Sequence, residues 1–482
     1  MKKIFLFLVM GLFLSNCGTD THSPNDKKQK NTTTKNFQVS DTLVRSAVIY
    51  EANIRQYSPQ GTLKAFTKDI PVLKDLGIKI IWLMPIYPIS ETKRKATGDT
   101  FVSDIKDPEE RKKYLGSPYA VADYTAVNPD FGTKKDLDDL IETAHKNGIA
   151  VILDWVPNHT GWDHKWIKEH PDYYTKNKKG EITDPLNPDG SSKGWQDVAD
   201  LNYNNPDLRK AMIGEMKYWI ENHDIDGYRC DVAGEVPVEF WEEAIPELRK
   251  IKPLFMLAEA WEPELMKDDL FDMCYGWEEH FLMVDMANGK KNVLDFDRYM
   301  QKIDTMYEPD DILMNFVANH DENSWKGTIE ESFGKAAPIM TALTYMIPGM
   351  PLVYSGQEYG LNHRLKFFEK DSIPKTKGKW YTLYKKLGSL KNNEPALYGG
   401  KIKGEYKRIN NNKNPHILSF ERSFKGDRVF FIGNMSPEKI DFQINLKGRF
   451  INSLNRDTLS IKPNDTLILK AWDYLILKKQ QK

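Results

Sequence analysis

Cysteine is scarce in this sequence: three in 482 residues, Cys17, Cys230 and Cys274. Three scattered thiols cannot build a disulfide scaffold and lack the clustered spacing of a zinc site. An excess of one charge is missing too. Lys and Arg total 68 against 69 Asp and Glu, a formal net charge of −1. Without a basic surplus the chain does not read as a nucleic-acid binder. Long apolar runs are few, and a mean hydropathy of −0.59 excludes a multi-span membrane protein. Aromatic residues, by contrast, are plentiful, with 12 Trp and 22 Tyr. Such rings serve as ordinary core or as flat faces lining a sugar cleft, and composition does not choose between them. With 40% hydrophobic and 28% charged residues the chain is globular. Its length suits one α/β barrel plus a smaller module.

Lys2 and Lys3 precede the one clear apolar run, Ile4 to Leu14. That run is too short to span a bilayer and has the layout of a signal peptide. It ends at Leu14-Ser15-Asn16-Cys17, which looks like a bacterial lipobox with Asn16 where a small residue is usual. On this reading residues 1–17 are a lipoprotein signal and Cys17 carries the lipid; an ordinary secretory signal is the alternative. Residues 18–40 are polar and read as a flexible tether. The expectation is an exported lipoprotein, periplasmic or anchored at the outer membrane, attached through its N-terminal lipid.

From Ser46 short apolar runs alternate with amphipathic segments. The strand-like runs are Ala47–Ile54, Ile78–Pro85, Ile149–Trp155, Ile225–Val232, Leu254–Ala260, Phe271–Tyr275, Ile312–Ala318 and Pro351–Tyr354. Most are followed by helical material: Leu63–Leu76, Asp136–Asn147, Leu208–His223, Val238–Lys250, Val293–Tyr307, Ala336–Met346 and Trp380–Lys391. Eight such units predict a parallel (β/α)8 TIM barrel over residues 41–393. Two connections are long. One carries the charged stretch Glu91–Lys113, expected to be a solvated or mobile insertion. The other, residues 156–205, is rich in Pro, Asn, Asp and Gly and reads as a loop subdomain after strand three. Beyond residue 394, short β-like runs separated by turn residues, Ile417–Phe420, Arg428–Gly433, Ile440–Ile444, Phe450–Asn452, Thr466–Lys470 and Trp472–Leu477, predict a C-terminal antiparallel β-sandwich over 394–482.

Four of the strand-like runs end in chemistry: Asp154 with His159 beyond it, Asp231, Glu259, and His320-Asp321. Side chains alternate along a strand, so Arg229 and Asp231 share a face and Cys230 takes the other, as a packed thiol. A guanidinium beside Asp231 is expected to hold that carboxyl low. Glu259, closing an apolar strand, is expected to be raised, as suits a general acid. Each alone could be a salt bridge or a helix-cap residue; their convergence on one barrel face is far more specific.

These residues resemble the alpha-amylase family of retaining glycoside hydrolases. The matching blocks are Asp154–His159 (DWVPNH), Gly227–Glu235 (GYRCDVAGE), Glu259-Ala260-Trp261, Asn319-His320-Asp321 and, in the long loop, Val198–Asn202 (VADLN). Ile49–Tyr57 looks like the first strand and Gly116–Tyr124 like the second loop. The resemblance implies Asp231 as nucleophile, Glu259 as acid/base and Asp321 as the third carboxylate, holding the sugar 2- and 3-hydroxyls. It implies His159 and His320 on the same sugar ring, Arg229 orienting the nucleophile, Tyr119 as platform and Arg364 near the next sugar. Asn158 and Asp200 match positions that bind a structural calcium, although Glu235 stands where a His is frequent. The second block is similar to neopullulanase- and cyclomaltodextrinase-like members, without their extra N-terminal domain. The implied activity is retaining, endo- or oligo-acting hydrolysis of α-1,4-glucans such as starch or maltodextrins. An α-glucosidase or transglycosylase of the same family is the runner-up. A non-catalytic glycan-binding lipoprotein is the reading from another class, and two histidines are a weak basis for a metallohydrolase.

Overall fold

The computed structural model of the chain describes residues 37–480. The signal segment, Cys17 and most of the tether lie outside the described residues. Eight parallel strands close on themselves: β1 Ile49–Ala52, β2 Ile80–Leu83, β3 Ala150–Trp155, β4 Gly227–Cys230, β5 Phe255–Ala258, β6 Met273–Tyr275, β7 Ile312–Asn315 and β8 Met350–Tyr354. Their order round the barrel is their order in the chain. All eight expected strands are present, each buried along its whole length, as parallel strands covered on both faces must be.

The surrounding helices follow local chemistry. The helix Lys134–Lys146 starts at a capping box between Thr133 and Asp136 and buries Leu137, Leu140, Ile141 and Ala144, the spacing of one helical face. Pro206 opens the helix Pro206–His223, capped by Asn205. The single helix expected over Leu63–Leu76 is two, Leu63–Thr67 and Ile70–Asp75. Pro71 has no N–H to continue the first helix, and its fixed φ starts the second. The stretch Glu91–Lys113 is also less free than its charge suggested. Asp163 accepts the backbone N–H groups of Glu91 and Thr92, and the Lys95 ammonium is buried on the Gly194 carbonyl, 2.7 Å away. The insertion is thereby tied to the loop subdomain.

The C-terminal module has strands β9 Glu405–Arg408, β10 Ile417–Phe424, β11 Asp427–Asn434, β12 Ile440–Gln443, β13 Gly448–Asn452, β14 Thr458–Ile461, β15 Thr466–Leu469 and β16 Tyr474–Lys479. Six form an antiparallel sheet in the order β9-β10-β11-β16-β13-β14, and β12 pairs with β15. The two strands without a sequence signal, β9 and β14, are the sheet edges. Edge strands are half-solvated, so their apolar alternation is weak. Leu418, Phe420, Val429, Phe431 and Ile476 join the core of the barrel. Buried Arg422 donates to the Met346 carbonyl at 3.0 Å, fastening the sheet to the helix Ala337–Met346.

Candidate active site

Every strand-end group named from the sequence, Arg364 aside, opens onto the C-terminal mouth of the barrel. The site is built around Arg229, which has no exposed surface. Its Nη1 lies 2.7 Å from Asp231 Oδ1 and 2.8 Å from Asp154 Oδ1; its Nη2 lies 2.8 Å from Glu259 Oε2. Its Nε donates to the Tyr275 hydroxyl at 3.2 Å. One planar fork thus touches three carboxylates from three neighbouring strands. Register explains the gathering: Asp154 pairs with Arg229, and Arg229 with Leu257. The ladder runs one step past the strands, Asp231 N–H to the Trp155 carbonyl and Glu259 N–H to that of Cys230.

Backbone conformation completes the placement. Gly227, at φ 149°, begins β4 where a Cβ would run into the Phe255 carbonyl, so only glycine lets β4 and β5 approach there. Val232, directly after Asp231, is left-handed at φ 37°, ψ 46°. A β-branched residue rarely adopts this region, and such strain gathers at functional sites. It turns the Val232 N–H onto Glu259 Oε2 at 2.7 Å. The two carboxylates are thus held against one guanidinium and the turn that follows Asp231.

Burial decides their charge. It pushes Glu259 up to about 7, with Arg229 opposing and Asp231 and Asp321 reinforcing. It pushes Asp231 up to about 6 despite Arg229, with Asp154 and Asp321 adding to the rise. The expectation that Arg229 would hold Asp231 low is therefore corrected: desolvation and the crowd of like charges outweigh the guanidinium. Asp154, contacted by Trp82 Nε1 at 3.0 Å and the Tyr119 hydroxyl at 3.1 Å, is pushed by burial to about 6.

The sugar-contact candidates fall on the same mouth. The Tyr119 ring stacks on His320 at 5.4 Å, and its hydroxyl is 2.8 Å from His320 Nε2. Asp321, more exposed than the others, approaches the same nitrogen at 3.3 Å. His159 is buried, which lowers it to about 3 and keeps it neutral; Trp195 lies edge-on to it at 5.9 Å. Trp155 and Trp166 are core, and so are the thiols Cys230 and Cys274. Arg364 does not join the cluster. It is half-exposed and holds Glu331 with two contacts, 2.9 and 3.2 Å. Glu51, Tyr275 and Trp82 were not singled out from sequence. Glu51 carried a signal: one charge inside an otherwise apolar strand, where burial demands a partner.

The calcium positions are less complete. Asp200 pairs with His159 in a short antiparallel two-stranded ribbon that closes the loop subdomain, and burial pushes its carboxyl up to about 6. The Asn158 amide nitrogen is 3.2 Å from His159 Nδ1. The nearby positive charge is the chain's own: Lys193, held on Glu235 at 2.5 Å, also acts on Asp200. No group of three or more His, Cys, Asp or Glu gathers for a metal among the described residues. Asn158 and Asp200 give two side-chain donors, beside a lysine, toward the six to eight oxygens that calcium takes.

A closed parallel barrel with carboxylates gathered on one buried arginine at its C-terminal face is the architecture of a barrel enzyme. A sequence model described as "Alpha amylase, catalytic domain" matches residues 24–386, and the chain belongs to the alpha-amylase family of glycoside hydrolases. It is 27% identical over 355 residues to alpha-amylase 3 of Dictyoglomus thermophilum, covering 66% of this chain and 64% of that one. It is 30% identical over 320 residues to a maltogenic alpha-amylase of Bacillus acidopullulyticus, covering 62% and 50%. A cyclomaltodextrinase of Thermoanaerobacter pseudethanolicus is 26% identical over 371 residues, covering 70% and 58%. The chain therefore spans between half and two thirds of the length of these relatives. Among solved structures, a maltogenic alpha-amylase from Thermotoga neapolitana superposes with a TM-score of 0.79 at 27% identity, over 91% of this chain and all of that one.

Proposed function

We propose that the protein hydrolyses α-1,4-glucosidic bonds of starch, maltodextrins or related glucans, with retention of configuration. The observation that carries this reading is the single guanidinium joining Asp231 to Glu259. An acetal C–O bond breaks when its leaving oxygen is protonated and its oxocarbenium-like carbon is captured. Glu259, whose carboxyl burial and the neighbouring carboxylates raise to about 7, gives the proton. Asp231 attacks the anomeric carbon to form the glycosyl-enzyme. Glu259 then takes a proton from the water that releases the sugar. Asp321, Tyr119, His159 and His320 hold the reacting ring.

The names of the relatives direct the test. Release of reducing sugar from amylose, pullulan and cyclomaltodextrin is measured, with NMR of the first product's anomer. Retained α-configuration on any of them is expected; no release from all three would defeat the reading. The α-glucosidase and transglycosylase alternatives separate by product length on maltoheptaose. We read the N-terminus as the anchor of an exported lipoprotein, which would place the substrate outside the cytoplasm.

The free enzyme must hold Asp231 ionised and Glu259 protonated at once. With folded values of about 6 and about 7, kcat/KM should follow a narrow bell, falling below pH 6 and above pH 7. The two limbs belong to the coupled pair. A plateau reaching down to pH 4 would show Asp231 ionised far below the value its burial dictates. For calcium, the expected result is a melting temperature that a chelator leaves unchanged. A fall of several degrees, restored by added Ca²⁺, would return the ion to Asn158 and Asp200.

A further inference from the structure

Glu51 lies within β1 with no exposed surface. Its Oε1 accepts from His320 twice, from ring Nδ1 at 2.5 Å and from the backbone N–H at 3.3 Å. Its Oε2 has no hydrogen-bond partner. Every hydrogen bond of this buried side chain therefore goes to one residue. The strands bearing the two are not neighbours, since β8 lies between β1 and β7; Glu51 reaches His320 through the barrel interior. A buried carboxylate is costly unless its partner repays the desolvation, and its strand neighbours Ile49 and Ala52 are apolar and equally buried.

The opposite edge of the His320 ring is equally defined. Nε2 is 2.8 Å from the Tyr119 hydroxyl and 3.3 Å from Asp321 Oδ2. Carboxylates thus face both ring nitrogens, and only the doubly protonated imidazolium donates to both. We propose that Glu51 is a positioning residue for the reaction: it fixes the His320 ring and keeps both nitrogens protonated, so that Nε2–H is a charged donor beside Asp321. This rests on the reading that a sugar ring sits against His320 and Asp321.

The other groups facing the pair are accounted for. Burial raises the Glu51 carboxyl against the opposing pull of His320 and Arg229, and Arg229 also opposes the histidine's charge. Asp154 interacts with His320 from β3. The Tyr275 and Tyr354 hydroxyls face Glu51 from β6 and β8. Burial works against the imidazolium, but Asp321 and Glu51 prevail and lift His320 to about 9. The second histidine of the site, His159, has no carboxylate partner and is neutral. The two histidines thus offer the sugar donors of different charge.

The test uses Glu51→Gln, which keeps an acceptor for Nδ1–H and removes the charge. Imidazole NMR should show His320 of the wild type protonated at pH 8 and that of the variant titrating near the ordinary value of about 6.5. At that value the ring is roughly one-tenth protonated at pH 7.5 and about nine-tenths at pH 5.5. Relative to wild type, the ratio of kcat/KM on maltoheptaose at pH 5.5 to that at pH 7.5 should rise about tenfold. Glu51→Asp, which restores the charge, should bring the ratio part of the way back. A variant that is merely less stable, with an unchanged pH profile, overturns the proposal. So does a wild-type His320 that is neutral at pH 8, a result that needs no variant to fold. Complete inactivity of the wild type on every glucan would instead remove the hydrolase reading and leave the His320 titration to be judged separately.

Discussion

Glu259→Gln should lower turnover of amylose by about 10² to 10⁴-fold, the range a positioned general acid supplies, while the barrel stays folded. Gln has the shape of Glu and can still accept the Val232 N–H that Glu259 Oε2 accepts. What it lacks is the proton. A sugar leaving group is a poor one, so the first step stalls. A substrate with an acidic phenol as leaving group needs no such proton and should recover the first step in this variant. Asp231→Asn removes the atom that captures the anomeric carbon, and no choice of leaving group compensates. Its loss should be on the order of 10⁴-fold or more on every substrate. The contrast between the two variants is the informative result. Wild-type turnover in either would contradict the assignment, and rescue of Asp231→Asn by the activated substrate would contradict its role as nucleophile.

Arg229→Leu should be the most destabilising single change at the site. Breaking a buried ion cluster by removing one partner costs about 3–5 kcal/mol, because the remaining charges are left uncompensated. Here the remainder is Asp154, Asp231 and Glu259, all pressed against the same fork. The sign of the pH dependence follows. All three have folded values above their ordinary ones, so their contribution to stability is present at low pH and lost as pH rises through about 6 to 7. Arg229 lowers each of them. Without it the values climb further and the loss grows. Denaturant unfolding should therefore show a larger deficit at pH 7.5 than at pH 5. An equal deficit at both values would mean that Arg229 contributes through packing alone.

Much of this was legible in the residues. The eight apolar runs are barrel strands because parallel strands covered on both faces must be apolar throughout. The blocks ending in Asp154, Asp231, Glu259 and Asp321 stood out because strand ends deliver side chains to one barrel face. The edge strands β9 and β14 were illegible because solvation weakens their pattern. Arg364 pointed elsewhere than its resemblance implied, since its place beside Glu331, the capping-box partner of Thr328 at the start of the helix Ile329–Phe333, depends on a loop path that spacing does not encode.

Residue order alone determined which groups could meet: side-chain alternation puts Arg229 and Asp231 on one face, and strand ends carry the carboxylates to a common rim. The charge each group holds was decided only in three dimensions. Arg229 sits two residues from Asp231, yet Asp231 is raised; Glu51 is far from His320 in the chain, yet helps to protonate it. A pKa sums burial and every charge within a few ångströms, and those neighbours come from strands that are distant in sequence and exist together only once the barrel has closed.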